Sequence, residues 1–177
     1  MATGLELETT RLRLRPFRMA DAGLVHALWT DAHVRRFLFD DRTLSPEDTR
    51  TRIEASLANF EQHGYGLWLA FARDGGGLVG FAGLLHAEQA PPNLIYGIAS
   101  DFWGRGYATE AARAVLDYAL THLGLAKVAA DVDEPNTASV RVLEKLGMTR
   151  THGGAEEGSR LIYFEKQATC AFRGQTE

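Results

Sequence analysis

"DFWGRGYATEA", residues 101–111, places Gly104 and Gly106, and then Ala108 and Thr109, at the opening of an amphipathic run. Glycine costs about 1 kcal/mol against alanine inside a helix, so its use at this spot needs a reason. From 106 to 123, Ala108, Ala112, Val115, Ala119 and Leu123 fall on one face, opposite Glu110, Arg113, Asp117 and Thr121. That spacing predicts a helix, with Gly124 at its C′ position. "LIYGIAS" (94–100) before it and "KVAADVD" (127–133) after it read as strands. Strand, helix and strand make a βαβ unit, hence a parallel, right-handed crossover. Two readings of the glycines stand side by side. They relieve a tight strand-to-helix turn, or they let an anion approach backbone N–H groups that lack a partner inside the helix.

Working outward, "LRLRPF" (12–17) alternates apolar and charged residues, as a half-buried strand does. A helix follows near Asp21, with Leu24, Val25, Leu28 and Trp29 at helical spacing. Ser45, Pro46 and Asp48 form a capping-box start for a helix running to about His63. "YGLWLAFAR" (65–73), the turn Gly75–Gly77 and "LVGFAGLLH" (78–86) predict a hairpin. Residues 137–146 form a short helix stopped by Gly147, and 160–167 a last strand. No repeat, linker or low-complexity tract divides the chain. One domain over 7–168 is expected, with 1–6 and 169–177 as flexible termini.

The 177 residues are 45% hydrophobic and 24% charged, which suits one core-forming domain. A net charge of −4 implies no basic surface for nucleic acid. Cys170 is the only cysteine, which forbids an internal disulfide. Residues 1–18 lack a signal-type apolar segment, and no run reaches the ~18 apolar residues of a membrane span, so a cytoplasmic protein is expected. Six histidines without ligand spacing give no metal site. Among anion sites, a P-loop fails for want of Gly-Lys-Ser/Thr. A dinucleotide site fits poorly. Thr109 stands where a third glycine belongs, and Asp131 lies well beyond the ~20-residue offset of the usual ribose acid.

"WGRGYATEA" (103–111) resembles the acetyl-CoA loop of the GNAT superfamily, whose pattern is Gln/Arg-x-x-Gly-x-Gly/Ala. Gly106 and Ala108 take its small positions, and Trp103 replaces the Gln or Arg, as in the branch of ribosomal-protein N-terminal acetyltransferases. "LETTRLRLRPFRMAD" (7–21) resembles that branch's opening strand, and "NTASVRVLEKLGM" (136–148) its Asn-x-x-Ser…Glu-Lys-x-Gly segment, with Met148 for Phe. The resemblance implies an α/β (α+β) single-domain GNAT-like fold. Its sheet is mixed and mostly antiparallel, of roughly six to seven strands with about four helices. In it the pair 94–100 and 127–133 splays apart.

The same resemblance implies acetyl-CoA as co-substrate, its pyrophosphate held by backbone N–H groups of Gly104, Arg105, Gly106, Tyr107, Ala108 and Thr109. The strand ending Ile98-Ala99-Ser100 would pair with the pantetheine arm, and an N–H near Ile98 would receive the developing oxyanion. Asn136 would bond the pantetheine, and Ser139 would stand near the sulfur as the catalytic group. From the residues alone, Asn136 is equally a helix N-cap. Ser139 shares the inward face of Val142, Leu143 and Leu146, where a hydroxyl bonds either a carbonyl one turn back or a ligand. Asp131, Glu156 and Glu157 are candidate bases, and each is equally a solvated surface carboxylate. Trp29, Phe37, Phe39, Trp68 and Phe71 read as core or as lining of an acceptor cleft. The acceptor implied is an amine, in the first place a protein N-terminal α-amine. A small-molecule amine, or a non-catalytic acyl-CoA-binding module, is the alternative; the assembly is a monomer or homodimer.

Overall fold

The computed structural model describes residues 5–154 and 160–169. Glu156, Glu157 and Cys170 lie outside them. Eight strands form one mixed sheet: β1 (Leu7–Glu8), β2 (Leu12–Pro16), β3 (Leu67–Ala72), β4 (Leu78–Leu85), β5 (Asn93–Ile98), β6 (Lys127–Asp133), β7 (Thr149–Gly153) and β8 (Leu161–Gln167). Their order is β1-β2-β3-β4-β5-β6-β8-β7, antiparallel everywhere except between β5 and β6. Five helices accompany them: α1 (Ala22–Thr30), α2 (Ala32–Arg35), α3 (Pro46–His63), α4 (Tyr107–Asp117) and α5 (Thr137–Lys145). β1, β7 and the one-turn α2 exceed the expected count. β1 is two residues long, α2 is a single turn opened by the Asp31 carboxylate accepting from the His33 and Val34 N–H groups, and β7 is an exposed edge strand, so none carries a periodic apolar signal.

β3 shows why the hairpin strands read as nearly unbroken apolar runs. Trp68, Ala70 and Ala72 pack toward α4 and α5, while Leu67 and Leu69 pack toward α1 and α3. Both faces are covered, so neither needs polar alternation. Trp68 is fully buried, edge-on to Phe60 at 4.7 Å, and its indole N–H donates to the Leu5 carbonyl at 2.7 Å. Trp29 is likewise core, between Phe17 and Phe81. The start of α3 follows its local code: the Ser45 hydroxyl accepts from the Asp48 N–H at 3.0 Å, and the Asp48 carboxylate accepts from the Ser45 N–H at 2.9 Å.

One ion pair staples the entry to α1. Arg15 grips Asp21 with both guanidinium arms, at 2.7 and 2.8 Å, and the Arg18 N–H adds a third bond at 2.8 Å. The Arg15 hydrogen bonds hold the Asp21 carboxyl below the ordinary carboxylate range despite its burial. A depressed folded pKa contributes stability that is complete above the unfolded value near ~3.9 and is lost as pH falls through the folded pKa. Asp21→Asn should therefore cost about 1.5–3 kcal/mol at neutral pH, the range for hydrogen bonds to a charged group. The variant should also show a shallower further loss below pH ~4 than the parent. Denaturant melts across that acid window check both.

Candidate functional site

β5 is fully paired to β4 along one edge, from Gly80–Ile98 to Leu85–Asn93. On its other edge the register with β6 consists of a single pair, Asn93 with Ala129, supported by the Ala129 N–H on the Pro92 carbonyl at 3.0 Å. Beyond that point the two parallel strands part. Backbone groups alternate in direction along a strand. Pro92 faces β6 and Ala99 faces β4, so the N–H groups of Tyr96 and Ile98 face the wedge that opens there. The Ile98 carbonyl faces it too and accepts the Trp103 indole N–H at 2.7 Å. Trp103 is otherwise 53% exposed and stands edge-on to His33. Like the Gln or Arg it replaces, it supplies an N–H donor.

The strand stops at Ile98, two residues short of the expected end. Ala99 gives its N–H to the Val79 carbonyl at 2.9 Å, and Ser100 opens a short 3-10 turn reaching Phe102. That turn closes on itself, with the Phe102 N–H on the Ala99 carbonyl at 2.9 Å and the Trp103 N–H on the Ser100 carbonyl at 3.1 Å, so the chain leaves the sheet there. Ala99 thus has no free N–H to offer along the wedge, and Ser100 does not extend the strand.

Gly104 and Gly106 have φ of +71° and +80°. This left-handed conformation alone calls for glycine, whatever binds nearby. A side chain at Gly104 would meet nothing within 4 Å, and one at Gly106 only Arg11 Nη2 at 3.6 Å, so the space over both is open. Gly106 is the N-cap of α4 and offers no side-chain cap, which leaves the N–H groups of the first turn aimed outward. Tyr107 buries its ring against Phe102, so only its backbone is available to a ligand. Ala108 and Thr109 are half-buried, and the Arg105 guanidinium lies 5.8 Å from the Phe102 ring centroid. A cavity of about 880 Å³ between the β1–β2 turn and α4 takes in Gly106 and Thr109 but not Ile98, Asn136 or Ser139.

α5 brings Ser139 to the wedge. Asn136 caps this helix, its side-chain oxygen accepting from the Ser139 N–H at 3.2 Å, so the capping role read from sequence holds. The cap uses Oδ1, and among the described residues no hydrogen bond engages Nδ2. Tyr96, which sequence reasoning did not single out, reaches from β5 and donates its hydroxyl to the Ser139 carbonyl at 3.2 Å. Burial pushes the Tyr96 phenol up to about 12, so it acts as a donor and stays protonated. With its backbone held on both sides, Ser139 is half-buried, and its side chain also meets the Tyr96 phenol, where it opposes part of the upward push of burial. Asp131 accepts a hydrogen bond from the Asn93 amide, close to where the wedge closes.

On the opposite face Trp29 and Phe39 line a small cavity of about 80 Å³ with Arg52, Asn59 and Ile95. Among the described residues the Trp29 indole N–H has no hydrogen-bond partner, no group of three His, Cys, Asp or Glu is placed to hold a metal ion, and no helix is long and apolar enough to cross a membrane.

The mixed sheet parts beside the N-terminus of its crossover helix, the arrangement expected from the GNAT resemblance. The Acetyltransferase (GNAT) domain family matches residues 11–149, and the chain belongs to that family. It is 36% identical to YkkB of Bacillus subtilis (strain 168) over 150 residues, 81% of this chain and 84% of that one. It is 31% identical to the FsC-acetyl coenzyme A-N(2)-transacetylase of Aspergillus fumigatus, over 81% of this chain and 64% of that protein. Among solved structures, an acetyltransferase from Agrobacterium tumefaciens superposes with a TM-score of 0.79 at 26% identity, covering 92% of this chain and 94% of that one. The protein is thus a GNAT acyltransferase, of a family that uses acetyl-CoA and acts on amines.

Proposed function

We propose that this enzyme transfers the acetyl group of acetyl-CoA directly to a primary amine of low pKa, in the first place a protein N-terminal α-amine. The observation that carries the reading is the single-pair register of β5 with β6, which leaves backbone N–H groups of β5 facing the wedge next to the first turn of α4. The bound thioester supplies an electrophilic carbonyl and a thiolate leaving group. In this reading the N–H groups from Gly104 to Thr109 hold the pyrophosphate, and the Tyr96 and Ile98 edge holds the pantetheine. The Asn136 Nδ2 adds a bond to the pantetheine. The Ile98 N–H receives charge developing on the carbonyl oxygen, and the Ser139 hydroxyl donates toward the sulfur. The A. fumigatus relative, by its name, moves acetyl from coenzyme A to a nitrogen, which supports the donor and the kind of acceptor.

The choice of acceptor rests on proton chemistry. An α-amine has a pKa near ~7.7–8.0 against ~10.4 for lysine, so far more of it is neutral and nucleophilic at physiological pH. Asp131, the candidate base among the described residues, is already bonded to Asn93, and water or such a weakly placed carboxylate as base favours the amine that needs least deprotonation. The net charge of −4 adds a modest, salt-sensitive attraction for a cationic protein partner. A peptide with a free N-terminal Ala or Ser should be acetylated faster than the same peptide blocked at its N-terminus and carrying an internal lysine. Mass spectrometry of the products identifies the modified nitrogen. Exclusive lysine labelling, or activity confined to a small polyamine, would replace this acceptor and leave the acyltransferase assignment in place.

A further inference from the structure

The β1–β2 turn is latched onto the loop that begins α4. Arg11, at the end of that turn, donates through Nε to Glu110 Oε2 at 2.7 Å and brings Nη2 to the same oxygen at 2.6 Å. Its Nη1 donates to the Arg105 carbonyl at 2.9 Å, and its guanidinium lies 4.4 Å from the Tyr107 ring centroid. Glu110 also accepts from the Arg11 N–H at 2.9 Å and from the Thr9 hydroxyl at 2.6 Å. Burial pushes the Glu110 carboxyl up, but the Thr9 and Arg11 hydrogen bonds outweigh it and hold the group in its anionic form.

Glu110 lies in the first turn of α4, where an acid favours the helix itself. The same charge opposes a second anion at that terminus. An anion-binding helix start that carries a glutamate needs a cation to cancel it, and Arg11 meets that need. It is 44% exposed at the side chain, on the same side as the open space over Gly106, with Nη2 only 3.6 Å from where a Gly106 Cβ would lie. We propose that Arg11 is a positioning residue for the acetyl-CoA phosphates: it neutralises Glu110 and draws the carboxylate onto the β1–β2 turn, so that the N-terminus of α4 accepts an anion. The proposal rests on the reading that the pyrophosphate sits on Gly104–Thr109.

The test is calorimetric titration of coenzyme A into the parent, Arg11→Gln, Arg11→Lys, Glu110→Gln and the double variant Arg11→Gln/Glu110→Gln, with melts to check folding. Arg11→Gln should weaken coenzyme A by about tenfold, the scale of a charge at a helix terminus. The deficit should shrink with added salt, because repulsion from the uncovered Glu110 is screened. Arg11→Lys, which keeps the charge, and the double variant, which removes the uncovered acid, should both return to within about threefold of the parent. In turnover, Arg11→Gln should raise the KM for acetyl-CoA while kcat and the KM for the amine stay near parental values. A parent that binds coenzyme A with Arg11→Gln matching it, or a loss that Glu110→Gln does not relieve, overturns the proposal and spares the phosphate-loop reading. A parent that does not bind coenzyme A overturns both.

Discussion

Ser139→Ala is expected to lower kcat about ten- to a thousandfold, the scale of one hydrogen bond or acid that matters at the transition state. The KM for acetyl-CoA should stay within about threefold of the parent, because the proposed bond strengthens only as charge gathers on the departing sulfur. A thiol with a pKa near ~8.5 needs modest help to leave at neutral pH, which places the effect toward the lower end of the range. The fold should tolerate the change. The Ser139 N–H is held by Asn136 and its carbonyl by Tyr96, and both of these backbone anchors survive removal of the hydroxyl. Steady-state kinetics with both substrates varied separate the two parameters. An unchanged kcat would reduce Ser139 to a helix residue whose backbone happens to be well anchored.

Tyr96 offers an independent check on that anchoring, and it illustrates what a sequence conceals. Its hydroxyl meets Ser139 from a position 43 residues away in the chain, and nothing local in "LIYGIAS" announces the partner. Arg11 and Glu110 are 99 residues apart, and Glu110 read as a solvent-facing residue because helical spacing reports a helix's own faces and not what later covers them. Local codes fared differently. Ser45, Pro46 and Asp48 carry a complete capping box within four residues, and the structure forms it. Of the face expected over 106–123, Ala112, Val115 and Ala119 are in the core and Ala108 and Leu123 are half-buried, since a 3.6-residue period is set by the helix alone; Ala111, buried beside them, is not on it. β5 ends at Ile98 rather than Ser100 because Ala99 and Ser100 lead into a 3-10 turn closed by the N–H groups of Phe102 and Trp103, which the apolar run of "LIYGIAS" does not announce. The parting of β5 from β6 came from family resemblance. A strand's sequence specifies its pleat and its faces, and says little about how long a parallel partner stays beside it.

Gly106→Ala should weaken coenzyme A by at least about tenfold, whereas Gly124→Ala should leave its affinity unchanged. The pair is matched in backbone strain. Gly106 has φ +80° and Gly124 has φ +68°, so each substitution forces an L-residue into the left-handed region at a cost of about 1–2 kcal/mol. Neither added methyl strikes protein: nothing lies within 4 Å of a Cβ at Gly124, and only the end of Arg11, at 3.6 Å, lies near one at Gly106. Equal losses of stability are therefore expected, and melts on both variants establish that they occur. What differs is position. Gly106 is the N-cap of α4, while Gly124 lies past the far end of that helix, beyond the π-helical turn Tyr118–His122 that follows it. A methyl at Gly106 stands where a phosphate would have to approach the first-turn N–H groups, and it displaces the anion by steric bulk. Calorimetry with coenzyme A then separates the two reasons for a glycine in "WGRGYATEA". Equal stability loss with affinity lost only at Gly106 assigns that residue to binding as well as to the turn. Equal stability loss with affinity kept at both leaves it a turn residue, and the pyrophosphate must be sought elsewhere on the wedge.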